Sequence, residues 1–165
     1  MRWLIDGYNV IRRDADLRAR EGESLEAGRT ALLALVARVA RDLADSFTVV
    51  FDGARRAGGA PVGGRVQVVF SRPPASADDE LRRLAATLRE GAVVVSSDRA
   101  VQDAARRVGA VAVSAEAFLE AVETPASEDP DEADDEEDQP RRGQAHRPSR
   151  AARAAERALR RLRNR

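Results

Sequence analysis

Two kinds of apolar pattern alternate along this chain. Short continuous runs occur at Trp3-Leu4-Ile5, Thr48-Val49-Val50-Phe51, Val66-Gln67-Val68-Val69-Phe70 and Val93-Val94-Val95. With a shorter run at 111–113, they predict strands at 2–5, 48–51, 66–70, 92–96 and 111–113. Between them, apolar residues recur at helical spacing. Leu25, Leu32, Leu33, Leu35, Val36, Val39 and Leu43 predict a long amphipathic helix at 24–44, and further helices are predicted at 77–89, 99–108 and 115–122. Residues between the first strand and the first helix read as turn and loop. Ser76 is placed to cap the helix at 77–89, and Asp78, Asp79 and Glu80 in its first turn suit the helix dipole. Ser24 with Ala27 forms only an incomplete cap, since a capping box wants Glu or Gln three residues on. Strands alternating with helices imply crossovers and a mostly parallel sheet covered on both faces. The continuously apolar runs 48–51 and 93–95 fit strands buried on both sides. An α/β domain is therefore expected over residues 1–122.

The ends of these strands carry the chemistry. The first run ends in Asp6, the second in Asp52, and the fourth leads through Ser96-Ser97 into Asp98. Asp78-Asp79 opens the helix that follows the third strand. In an open parallel sheet, ligands bind in the crevice at the carboxyl ends of the strands. Carboxylates gathered there repel one another unless one is protonated or a cation joins them. Oxygen-only donors favour Mg²⁺ or Mn²⁺, so the pattern reads as a metal-dependent site acting on phosphate.

Composition narrows the chemistry. The 165 residues include no cysteine, which removes disulfides, thiolate nucleophiles and cysteine zinc sites. All 28 basic residues are arginine, so a Walker P-loop and a Schiff-base lysine are excluded. The single histidine, His146, lies in a polar tail, which removes Ser-His-Asp catalysis and histidine-ligated metals. The N-terminus enters a strand directly, with no apolar signal segment, and no apolar run approaches the roughly 20 residues of a membrane span. A cytoplasmic protein without membrane association is expected.

Each motif admits a plainer reading beside the functional one. In Asp6-Gly7-Tyr8-Asn9, Gly7 allows a tight turn and Asn9 is placed to hold Asp6 or reach a metal-bound water, but Asp, Gly and Asn are also ordinary turn residues. Asp98 serves either as a helix N-cap or in a phosphate or metal site, with Ser97 beside it. Asp78 and Asp79 compete for the inward role, and Asp52-Gly53 is either a simple turn or part of the site. The glycine-rich stretch Gly58–Gly64 precedes a strand, not a helix, and fails the dinucleotide context. It reads as a substrate-facing loop with Arg55, Arg56 and Arg65, or as a plain connection. Tyr8 is placed to stack a base or to pack beside the sheet.

The composition changes abruptly after residue 122. Residues 123–140 form an acidic stretch expected to be a disordered linker. Residues 141–165 form an arginine-rich tail in which 149–163 is expected to become a basic helix on binding. Such tails meet nucleic acid through phosphate charge; the alternative is a solubilising tail whose acidic and basic halves pair. The formal net charge of zero conceals this segregation.

Taken in order, DGYNVI, VVFDG, VQVVFS followed by SADDEL, and SSDRAVQDAARRVGA followed by SAEAF resemble the YacP-like branch of the NYN domains. These are PIN-like ribonucleases, and the branch includes a ribosome-associated endonuclease that cuts messenger RNA. The resemblance covers residues 2–122. It implies a PIN-like three-layer α/β/α fold with a central first strand and an acidic Mg²⁺ site (Mn²⁺ as the alternative ion). By that resemblance Asp6 is the first-strand metal aspartate and Asn9 the family's asparagine. Asp78 is the helix-start aspartate, with Asp79 as alternative. Asp98 is the aspartate of the Ser-Ser-Asp motif beside Ser97, and Asp52 occupies a weaker position. Arg12, Arg13, Arg55 and Arg99 would hold the backbone of single-stranded RNA, and the ribosome is the implied partner. The acidic linker departs from the family's core pattern. The rivals are a non-catalytic RNA- or ribosome-binding protein of the same fold, and a Rossmann-like phosphatase. The phosphatase pattern wants a second aspartate where Tyr8 stands. A toxin of a toxin–antitoxin pair is a variant of the main reading.

Overall fold

In the computed structural model, β1 (Arg2–Asp6) lies at the centre of a five-stranded sheet. The structure describes residues 1–53, 64–124 and 149–165. The Gly58–Gly63 stretch with Arg55 and Arg56, and the acidic linker from residue 125 onward, lie outside these residues. The other strands are β2 (Ser46–Phe51), β3 (Val66–Phe70), β4 (Ala92–Val95) and β5 (Val111–Val113). Their order is β3-β2-β1-β4-β5 and every pairing is parallel. Strand order reverses at β1, because the chain steps outward through β2 and β3 and then crosses to β4. A crevice opens at such a switch point, and Asp6 is the last residue of β1.

Alternation along β1 builds the two layers. Trp3 and Ile5 face one core, packed by α1 (Gly7–Arg13), α2 (Ala15–Glu23), α3 (Leu25–Asp42), α6 (Ala115–Glu123) and α7 (Arg150–Arg163). Leu4 faces the other, packed by α4 (Ala77–Leu88) and α5 (Arg99–Arg107). A single 3₁₀ turn, Arg89–Gly91, joins α4 to β4. The expected three-layer α/β/α arrangement with a central first strand is present.

The stretch expected to be loop between β1 and residue 24 instead holds two helices. α1 begins at once after the strand, with Asp6 as its N-cap. Its Gly7, Tyr8, Val10 and Ile11 are poor helix formers, which hid it. Packing overrides that preference: Val10 and Ile11 are fully buried. Gly7 is required by proximity, since a Cβ there would lie 2.2 Å from the Phe51 ring. α2 buries only Leu17, so it carries no apolar periodicity to read. Ser24 caps α3 through the Ala27 amide alone, the incomplete cap expected.

The basic segment at the C-terminal end also differs from the sequence reading. Residues 150–163 form α7 packed against α6 and β5, with Ala158 and Leu162 fully buried. Arg161 donates to Asp45 (3.0 Å), and Arg165 donates to the Val122 carbonyl (2.7 Å). The segment packs into the fold as a helix beside α6 and β5. One buried alanine and one buried leucine among many arginines gave too weak a periodic signal to show this. Among the described residues, no helix is long and apolar enough to cross a membrane.

Candidate functional site

The turn after β1 and the turn after β4 meet side by side at the switch point. Asp6 closes the first turn of α1: its Oδ1 accepts from the Asn9 amide at 3.2 Å. Its Oδ2 accepts from the Ser96 hydroxyl at 3.0 Å. Ser96 is fully buried, and its Oγ also accepts from the Asp98 amide at 3.2 Å. One hydroxyl therefore ties the carboxylate of Asp6 to the backbone that carries Asp98. Asp98 caps α5, its Oδ1 accepting from the Val101 amide at 3.0 Å. Asn9 adds a second tie, its Oδ1 accepting from the Ser97 amide at 2.8 Å.

Asp78 completes the cluster from α4, and the structure separates it from Asp79. Asp79 closes a capping box with Ser76 and pairs with Arg82 at 3.2 Å; these bonds hold its pKa below the usual value. Asp78 lines the same cleft as Asp6 and Asp98. Burial pushes the Asp6 pKa up; the Asn9 and Ser96 bonds pull it down, and the charges of Asp78 and Asp98 push it up further. Asp78 is likewise raised, by burial and then by Asp98, against the partial relief of Arg82. Asp6 thus feels the charges of Asp78 and Asp98, and Asp78 feels that of Asp98.

Other expected residues separate into two groups. Asp52 lines the cleft and accepts from the Ser71 hydroxyl. Arg12 lines it too, 5.7 Å above the Tyr8 ring. Arg13 also borders the cleft but is paired with Glu116 at 2.9 Å. The Ser97 hydroxyl turns away, donating to Glu116 and accepting from the Ala115 amide, so Ser96 holds the position beside Asp6. Arg99 is exposed at the start of α5 and is not among the cleft-lining residues. Arg65 donates to the Leu43 carbonyl, and Arg55 is outside the described residues.

The cleft has a volume of about 1630 Å³ and runs from the carboxylates between α3 and β3. Its other wall includes Tyr8, Arg29, Phe51 and Phe70. Arg29, in the second turn of a helix read only as amphipathic, was not among the expected site residues. Its guanidinium lies 5.4 Å from the Tyr8 ring, 5.6 Å from Phe51 and 5.3 Å from Phe70. On the far side, exposed Arg150, Arg153, Arg157 and Arg160 form one ridge of α7.

All donors around the acidic cluster are oxygens, the chemistry suited to a hard divalent cation. Among the described residues, no three His, Cys, Asp or Glu side chains already stand together as a metal-holding group. Mg²⁺ retains several waters and uses only one or two carboxylates in many sites, so the donor set fits that ion with water filling the remaining positions.

The sequence matches the YacP-like NYN domain over residues 3–164. The chain belongs to the YacP-like NYN domain family. YacP of Bacillus subtilis (strain 168) is 32% identical over 126 residues, covering 73% of this chain and 74% of that protein. The crystal structure of Rae1 (YacP) from Bacillus subtilis superposes with a TM-score of 0.63 at 30% identity, covering 74% of both chains. A single-substitution mutant of that protein gives the same TM-score at 29% identity. The YacP-like match extends beyond the expected 2–122 and takes in α7. Membership in the YacP-like NYN domain family is consistent with a nuclease.

Proposed function

We propose that this protein is a metal-dependent endoribonuclease that cleaves single-stranded RNA, with messenger RNA on the ribosome as its place of action. The observation that carries the reading is the convergence of Asp6, Asp78 and Asp98 on one cleft at the switch point of the sheet. Asp6, Asp78 and Asp98 would hold Mg²⁺, or Mn²⁺ in its place. A bound divalent ion supplies a water nucleophile at neutral pH and stabilises charge on the scissile phosphate. Asp6 is held for this role from both oxygens, by Asn9 and Ser96. Arg12 lies in the same cleft with no carboxylate partner among the described residues, suited to a backbone phosphate. The arginine ridge of α7, on the far side from the cleft, would be a second cationic surface for a longer RNA or ribosomal RNA.

Two results are expected. Cleavage of an end-labelled single-stranded RNA should proceed with Mg²⁺ or Mn²⁺ and stop in EDTA, and added ribosomes should raise its rate. Equal inertness in every condition, with RNA still bound, would favour a binding protein that keeps the fold. Ser96→Ala should lower the cleavage rate by about ten- to a hundredfold, the usual loss when a residue orienting a metal ligand is removed. The same variant leaves one oxygen of the buried Asp6 and the part-buried Asp98 amide short of a partner, costing about 1–3 kcal/mol in denaturant unfolding. An unchanged rate would remove Ser96 from the positioning of Asp6.

A further inference from the structure

We propose that Tyr8, Arg29 and Phe70 form a nucleobase subsite, which takes an unpaired base of the RNA beside the scissile phosphate. The inference rests on the nuclease reading only in taking RNA as the ligand. Three rings make a continuous aromatic floor: Tyr8 meets Phe51 edge-on at 5.3 Å, and Phe51 stacks on Phe70 at 5.8 Å. Phe51 is fully buried, whereas Tyr8 and Phe70 are half-buried and line the cleft. The half-buried guanidinium of Arg29 lies across all three.

The hydrogen bonding of this group is incomplete in an informative way. Arg29 donates from Nε (2.8 Å) and from Nη2 to the Tyr8 hydroxyl. A guanidinium has five N–H donors, and the other three meet no acceptor among the described residues. No carboxylate there pairs with Arg29, although Arg13 and Arg82 in the same region are paired. An arginine serving structure alone would be expected to meet a carboxylate or backbone carbonyls. The Tyr8 oxygen accepts from Arg29, so its own O–H remains to donate, and no acceptor for it lies among the described residues.

This chemistry matches one nucleotide. Unpaired bases stack on aromatic rings and on guanidinium planes. The Tyr8 O–H and the spare Arg29 N–H groups suit base carbonyls, and Arg12 over the Tyr8 ring suits the phosphate. Leu25, 54% exposed at the cleft, extends the apolar surface that a base would cover. A base held in a duplex cannot reach this floor, so the subsite gives a physical source for single-strand selection.

The chain contains one tyrosine, so selectively labelled tyrosine reports Tyr8 alone by NMR. The full-length protein is titrated in EDTA with oligouridylate, with a ribose-phosphate chain of the same length lacking bases, and with an RNA duplex. Oligouridylate should shift the Tyr8 ring signals and bind about tenfold or more tightly than the abasic chain, as stacking of a base implies. Arg29→Ala and Phe70→Ala should each weaken oligouridylate binding about tenfold and leave binding of the abasic chain less affected. Tyr8→Phe, which keeps the ring and should fold normally, should weaken it only a few-fold. Equal affinity for the two single strands, unmoved Tyr8 signals on binding, or no binding at all would each overturn the subsite. Because binding is read without metal, a chain that prefers the base-bearing strand yet never cleaves RNA would retain the subsite and lose the nuclease reading.

Discussion

Asp6→Asn is expected to lower RNA cleavage by about two orders of magnitude or more, a loss typical when a group stabilising transition-state charge is removed. The same variant should be at least as stable as the wild type. Asp6 is 8% exposed and feels the charges of Asp78 and Asp98, with no arginine paired to it. Burial and like charge both oppose its ionised form. Asparagine is nearly isosteric, and its carbonyl oxygen can accept the Asn9 or Ser96 bond. Activity and stability should therefore move in opposite directions, as they do where a site holds a destabilising group for its chemistry. Parallel measurements of initial cleavage rate in Mg²⁺ and of thermal unfolding check this. A variant that loses activity because it unfolds at lower temperature would place Asp6 in the structure and outside the chemistry.

Asp45→Ala is expected to cost about 3 kcal/mol, the low end for breaking a buried ion pair from one side. Asp45 is 2% exposed, and it accepts from the Met1 ammonium at 2.6 Å, the Trp3 indole at 3.1 Å and Arg161 at 3.0 Å. Its cationic partners are 29% and 52% exposed, so water moderates the loss. For a chain of this size the melting temperature should fall by about 6–12 °C. The pH dependence follows from the direction of the Asp45 shift. Burial alone would raise its pKa, but the bonds from the N-terminus, Trp3 and Arg161 outweigh burial, and the net shift is downward. A carboxylate depressed on folding stabilises the native state above its unfolded pKa. The contribution is lost as pH falls through the folded value. The difference between wild type and variant should thus be full at pH 7 and shrink below about pH 4. Denaturant unfolding across this range is the measurement, and equal stability at pH 7 would mean that the Asp45 bonds contribute nothing to holding α7 and the N-terminus.

The parts of the fold legible in the sequence were those with strong periodicity or strand character: all five strands, α3, and the helices α4 to α6. Asp6 and Asp98 were legible because each closes an apolar run, and strand ends are where a parallel sheet presents its crevice. Choosing between Asp78 and Asp79 needed one more local rule. Ser76 lies three residues before Asp79, the spacing of a capping box closed by aspartate, and that pairing leaves Asp78 for the cleft. Ser96 was harder to see, because the register of β4 against β1, not any local motif, decides which serine faces Asp6. Arg29 and Phe70 come together only through the packing of α3 over β2 and β3. The helix at 149–163 was legible, but its packing against α6 and β5 was not, because its apolar stripe is narrow and its arginines dominate its composition.

The central position of β1 ties the birth of the site to the completion of the fold. Asp6 and the Ser96 hydroxyl that orients it lie 90 positions apart in the chain. β1 is flanked by β2 on one side and β4 on the other, so neither half of the sheet alone can assemble the cluster. Contacts of such long sequence separation form slowly, and local unfolding of β4 would scatter the carboxylates at once. A partly opened chain therefore carries the acidic residues without their arrangement around one cleft.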